Sequence, residues 1–142
     1  MILDKIKTRG EEMAVLEGHD RLQYIIDGAK NIVPLEDQFK TDKNRIHGCV
    51  SKLWIIGKVL EDGTMQYKHD AESFVTKGTA KIVIDLVNGE HKDDVANLTV
   101  ESFIPLGIKE LLTFQRQNGL GRLIEKIIGI AQHDWYARGL DT

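Results

Sequence analysis

The chain has 142 residues, 42% of them hydrophobic and 29% charged, with a formal net charge of −3. This is the composition of one globular domain, residues 1–142, long enough to bury a core, and it excludes a disordered chain. The 19 Lys and Arg are dispersed among 22 Asp and Glu without a basic tract, which argues against nonspecific binding of nucleic acid.

The opening stretch, MILDKIKTRGEEM, mixes charges and lacks the apolar core of a secretory signal. No run approaches the roughly 18 apolar residues needed to span a bilayer. With one cysteine there is no internal disulfide, and a reducing cytoplasm is the expected location. In that compartment the glycosylation pattern Asn97-Leu98-Thr99 is a coincidence.

A short amphipathic segment is expected around Glu11 to Leu16, with Gly18 as a break. Leu22, Ile25, Ile26, Ala29 and Val33 then recur at helical spacing, with Asp20 as N-cap and Pro34 helping to end the helix. Residues 35–48 are polar, carry turn formers, and read as a long surface connection. The period then changes. CVSKLWIIGKVL is rich in β-branched and aromatic residues, EDGT signals a hairpin, and MQYKH continues as a second strand.

Phe74, Val75, Gly78, Ile82 and Leu86 predict a helix capped by Ser73 at its start and Gly89 at its end. Short helical pieces follow, interrupted near Pro105 and Gly107. Leu120, Leu123, Ile124, Ile127, Ile128, Ala131 and Trp135 form the apolar stripe of a last helix, with Asn118 as its N-cap. Helices, a hairpin, then helices predict an α+β fold: a small antiparallel sheet packed by helices.

Cys49 is the only cysteine. Two readings are open from the residues. A free cysteine commonly behaves as a small buried hydrophobe. This one instead stands between the polar DKNRIHG and the apolar VSKLWII, at the margin of the sheet, with Gly48 beside it to permit close approach. A thiol is reactive as thiolate, and at an ordinary pKa of about 8.5 little of it is ionised at neutral pH. Arg45, His47 and Lys52 are nearby cations in sequence. In an extended chain His47 and Cys49 point to the same side.

Other motifs fall away. GLGRLI lacks the third glycine of a dinucleotide loop and follows no strand. His19, His47, His69, His91 and His133 share no metal-ligand spacing, there is no Cys-x-x-Cys, and one cysteine cannot house an iron–sulfur cluster within the chain. No Gly-x-Ser-x-Gly elbow is present. Two stretches remain. HDAESFVTKG places Asp70 between hairpin and helix, as a turn residue or as part of a site. LTFQRQNGLGRL places Arg116 just before the last helix, as an ion-pair partner or as positive charge facing Cys49 or a partner.

GCVSKLW (48–54), HDAESFVTKG (69–78) and LTFQRQNGL (112–120), in this order, resemble the SufE family of sulfur-acceptor proteins, and DRLQYIIDGAKNIVPL (20–35) resembles the family's N-terminal helix. The most specific element is Gly-Cys-x-Ser-x-Val-Trp, in which Leu53 replaces the valine. Where the family commonly reads Asp-Ser-Asp, Asp70 is kept while Ala71 and Glu72 differ. The family has no fixed histidine at the position of His47, which weakens a Cys–His pair.

The resemblance implies a fold shared with IscU-type scaffolds. It also implies an accessory sulfur-transfer protein, not an autonomous enzyme. In it, Cys49 becomes a transient persulfide by accepting sulfur from a pyridoxal-phosphate cysteine desulfurase of SufS type. It stimulates that enzyme and relays sulfur to a SufBCD-like iron–sulfur scaffold. Gly48, Ser51, Asp70 and Arg116 are then expected to support the loop or touch the partner. No bound cofactor, metal, membrane or nucleic acid is expected, and the chain is a monomer or homodimer. Two other readings are a cysteine hydrolase with Cys49 as nucleophile, and a binding module in which Cys49 is inert.

Overall fold

The computed structural model describes residues 1–47, 51–107 and 114–133, the side chains of 114–118 excepted. Helices α1 (Ile2–Ala14) and α2 (Gly18–Ala29) precede strands β1 (Leu53–Val59) and β2 (Met65–Ala71). Helices α3 (Phe74–Val87), α4 (Lys92–Ala96) and α5 (Phe114–Gln132) follow. Single 3-10 segments lie at Asp37–Phe39 and Val100–Leu106. The expected α+β class, a small antiparallel sheet packed by helices, is what the structure shows. Among the described residues no helix is long and apolar enough to cross a membrane.

The hairpin forms where the alternating pattern and the Asp62-Gly63 pair place it. Gly63 has φ +84°, which an L side chain rarely adopts, and Asp62 accepts hydrogen bonds from the Thr64 amide and hydroxyl. The register pairs Leu53 with Ala71, Trp54 with Asp70 and Val59 with Met65. Strand alternation then sorts the faces. Leu53, Ile55, Met65 and Tyr67 turn into the core, while Trp54 and Asp70 share the other face.

The helices close over the inner face. Ile82, Val83, Leu86 and Val87 of α3 and Leu123, Ile124 and Ile127 of α5 are buried in one continuous core. Each such side chain contributes about 1.5–3 kcal/mol by leaving water. The Tyr67 hydroxyl donates to the Ile127 carbonyl at 2.7 Å and so pins α5 to the sheet; burial pushes this phenol's pKa upward. α3 approaches α2 closely at Gly78, where an added methyl would overlap the Ile25 carbonyl.

Several sequence expectations need correction. The first helix is not a short segment near Glu11. It runs from Ile2, because Ile2, Ile6, Gly10 and Met13 make a buried stripe among charges. α2 begins at Gly18 with Glu17 in the N-cap position, whose side chain makes no capping hydrogen bond, so Asp20 lies inside its first turn. It ends at Ala29, leaving Val33 83% exposed. Phe74, assigned to the buried face of α3, is 58% exposed, because it is the helix's first residue and points past the core. Asn88 is the C-cap of α3 and Gly89, with φ +85°, is the residue after it. Asn118 and Arg116 both lie within α5 instead of at or before its start. Trp135 lies outside the described residues.

Residues 35–48 are not simply a surface connection. Leu35, Asn44 and Ile46 are buried. The Ile46 amide donates to the Leu53 carbonyl at 2.8 Å, and the Ile55 amide donates to the Asn44 carbonyl at 2.9 Å. Arg45 is bridged antiparallel to Trp54. Residues 44–46 thus line the free edge of β1, and the six residues 47–52 connect the two sides of this neck.

Candidate functional site

Gly48 and Cys49 lie outside the described residues, as do Val50 and the Arg116 side chain. The frame that carries Cys49 is described on both sides. Behind it, residues 44–46 are hydrogen-bonded to β1. Ahead of it, Ser51 Oγ and Thr76 Oγ1 are 2.9 Å apart, joining the loop's exit to the first turn of α3. The Lys52 amide donates to Glu72 Oε1 at 3.0 Å, and the Glu72 amide donates back to the Lys52 carbonyl at 3.0 Å. α3 can hold these partners because Ser73 caps it, accepting from the Thr76 amide.

Asp70 is the hub beneath this frame. It is 5% exposed and sits opposite Trp54 in the hairpin register. Its Oδ1 accepts from the Ala71 amide at 2.8 Å and pairs with Lys77 Nζ at 3.0 Å. Its Oδ2 accepts from the Leu35 amide at 3.0 Å and pairs with Lys40 Nζ at 3.2 Å. Burial alone pushes this carboxyl's pKa up. The Lys77 contact, the Leu35 and Ala71 amides and the Lys40 contact outweigh burial and hold it down at about 2. The hydrogen bond to Asp70 in turn raises Lys40. Lys40 Nζ also lies 5.6 Å from the centre of the Trp54 ring, a cation–π contact.

One carboxylate therefore gathers four elements: the stretch after α2, the 3-10 segment, β2 and α3. Trp54, opposite Asp70 in the hairpin register, and the Ser51–Thr76 contact at the start of α3 adjoin that assembly. Sequence reasoning missed Lys40, Thr76 and Lys77. Thr76 and Lys77 were visible inside HDAESFVTKG, at the start of a predicted helix that would bring them back over Asp70. Lys40 carried no such signal.

The histidines divide. His69 is buried, its Nε2 lies 3.1 Å from the Lys77 carbonyl, and burial holds its pKa below the ordinary value. It is committed to the fold. His47 is exposed at the loop's entry. Among the described residues no group of three or more His, Cys, Asp or Glu could hold a metal ion. A cleft of about 540 Å³ opens between residues 31–36, the outer face of the hairpin and α3, and neither Ser51 nor Asp70 lines it.

The chain matches a family model, SufE: Fe-S metabolism associated domain, over residues 8–131. SufE-like protein 1, chloroplastic/mitochondrial, from Arabidopsis thaliana is 29% identical over 120 residues, which are 84% of this chain and 32% of that protein. An uncharacterized SufE-like protein from Rhizobium meliloti is 26% identical over 115 residues, covering 78% of this chain and 82% of the relative. The chain thus spans about a third of the length of the first relative and about four fifths of the second. The solution structure of a hypothetical protein from Thermus thermophilus superposes with a TM-score of 0.75 at 18% identity, covering 92% of this chain and 96% of that one. That likeness establishes the shared fold. The family match runs from the middle of α1 to within one residue of the end of α5 and includes both anchors of the Cys49 loop, and on it the chain belongs to the SufE family, associated with iron–sulfur metabolism.

Proposed function

We propose that the chain is a sulfur acceptor. Cys49 takes sulfane sulfur from the persulfide of a pyridoxal-phosphate cysteine desulfurase, stimulates that enzyme, and passes the sulfur to an iron–sulfur scaffold. The observation that carries this reading is the placing of the chain's single cysteine in a six-residue connection anchored at both ends by the fold. A cysteine serving as core filler has no need of such a connection.

The chemistry is balanced and needs no external oxidant. The Cys49 thiolate attacks the outer sulfur of the donor's persulfide. A new sulfur–sulfur bond forms on Cys49, the donor's sulfur–sulfur bond breaks, and the donor cysteine leaves as thiolate. A second thiol in the chain would attack the resulting persulfide, close a disulfide and release sulfide. One cysteine avoids that loss. A reducing compartment such as the cytoplasm suits an acceptor that must present a free thiol between cycles. Ser51 fixes the loop's exit through Thr76. Arg116, within α5, serves the loop or the donor.

Incubation with a cysteine desulfurase and free cysteine, followed by intact-mass measurement, tests this directly. The expected result is a gain of about one sulfur atom, absent in Cys49→Ser, together with loss of desulfurase stimulation in that variant. A Cys49→Ser protein that stimulates the desulfurase as well as the original would disprove the proposal.

A further inference from the structure

Phe74 opens α3 with its ring 58% exposed, more than any other described aromatic side chain. Tyr67 and Phe103 are buried, Phe39 and Trp54 are half-buried, and the hydroxyl of the exposed Tyr24 accepts a hydrogen bond from Arg9. Folding gives no reason for a phenyl ring at this position. Ser73 caps the helix, Val75 makes the core contact of its first turn, and Phe is a weaker helix former than Ala.

The ring's place relative to Cys49 follows from the anchors of the loop. Cys49 is two residues from Ser51, a span of about 7 Å at full extension. Ser51 Oγ is 2.9 Å from Thr76 Oγ1, and Thr76 stands two residues after Phe74 in the first turn of α3. Added end to end, these spans keep the Cys49 and Phe74 backbones within roughly 20 Å of each other. A sulfur–sulfur bond forms only when the donor's sulfur touches Cys49, so the donor's surface must cover the ground around the loop. A standard interface takes about 800 Å² from each partner and is on the order of 30 Å across. One that covers Cys49 and the α3 side of its loop takes in Phe74.

We propose that Phe74 is an apolar anchor for the sulfur donor: its ring enters an apolar hollow on the donor's surface while Cys49 reaches the donor's persulfide. The proposal rests on the sulfur-acceptor reading above and names a residue that holds the donor without taking part in the chemistry. An aromatic ring with few rotatable bonds, on a helix start that the fold already fixes, loses little freedom on docking. Lys52 and Glu72 are exposed beside it and joined to each other through two hydrogen bonds, and they supply the polar rim that surrounds such an anchor.

The test measures the acceptor concentration giving half-maximal desulfurase stimulation, and the rate at which iodoacetamide alkylates Cys49 in the acceptor alone. Phe74→Ala keeps the fold, because the ring is exposed and Ala favours a helix. It is expected to raise the half-maximal concentration about tenfold, equivalent to about 1.4 kcal/mol, with maximal stimulation and alkylation rate unchanged. The shift is expected to persist at about 1 M salt, where exposed charge pairs are screened. Phe74→Leu keeps an apolar side chain and is expected to raise the concentration by less than about threefold. Ile104→Ala trims another exposed apolar side chain, in the Val100–Leu106 segment, and is expected to shift it by less than about twofold.

A Phe74→Ala shift below about twofold, an Ile104→Ala shift as large as that of Phe74→Ala, or a shift that vanishes at high salt overturns the anchor proposal. So does a change of more than about threefold in Cys49 alkylation in Phe74→Ala, which would assign the ring to its own loop. Self-association of the isolated protein that Phe74→Ala abolishes in sedimentation would assign the ring to a second copy, and overturns the proposal as well. If intact mass shows that the original protein is never loaded with sulfur, the acceptor reading fails and the anchor falls with it. If it is loaded and Phe74→Ala stimulates normally, only the anchor proposal fails.

Discussion

On the β2 side of the Cys49 loop, Asp70 takes two lysines and two backbone amides, and Ser51 and Lys52 are tied to α3 and its approach. On the α5 side, among the described residues neither Arg45 nor Arg122 has a carboxylate within ion-pair distance. The first flank is internally satisfied and so belongs to folding. The second carries two arginines that no carboxylate of the described residues pairs, so its charges contribute less to folding.

The comparison breaks most visibly at Asp70. Asp70→Ala leaves Lys40 and Lys77 without their shared partner and the Leu35 amide without an acceptor. Removing one side of a buried, hydrogen-bonded charge cluster is expected to cost about 3 kcal/mol or more, measured as the change in urea-unfolding free energy. A loss under about 1 kcal/mol would remove Asp70 from its place as hub.

Acid sharpens the same point. Asp70 is held at about 2 in the folded chain, against about 3.9 for an aspartate in an unfolded one. Its contribution is therefore complete above about pH 4 and is lost as pH falls through about 2. The advantage of the original protein over Asp70→Ala is expected to shrink by about 2.5 kcal/mol between neutral pH and pH values below about 2. Unfolding curves across that range measure it, and a pH-independent difference would contradict the assignment.

The smallest expected effect is on the other flank. Arg122→Ala removes a charge that no carboxylate of the described chain meets, so stability should stay within about 0.5 kcal/mol of the original. A larger loss would place Arg122 with the structural charges and weaken the contrast between flanks.

Much of this frame can be read in the sequence because its signals are local. Asp62-Gly63 between alternating residues gives the hairpin, Ser73 gives the start of α3, and Leu120 through Ala131 gives the stripe of α5. The SufE-like motifs bring Cys49, Ser51 and Asp70 forward as candidates. The misses are of two kinds. α1 is obscured because Gly10 serves as a buried position without being apolar, so Ile2, Ile6 and Met13 do not stand out as a stripe. The rest depends on contacts distant in sequence. Nothing in DKNRIHG announces that Asn44 and Ile46 pair with β1, and nothing near Lys40 announces Asp70 thirty residues later. Those pairings are decided by tertiary closure.

The bond between Ile46 and Leu53 has one more consequence. It turns the cysteine's stretch of chain into a short tether knotted at its base. Three residues of fully extended backbone reach only about 10 Å, and that is the farthest Cys49 can stray from the knot without breaking it. On the proposed sulfur-acceptor reading, a donor whose sulfur waits deeper than that arm's length must push its own cargo outward to complete the handover.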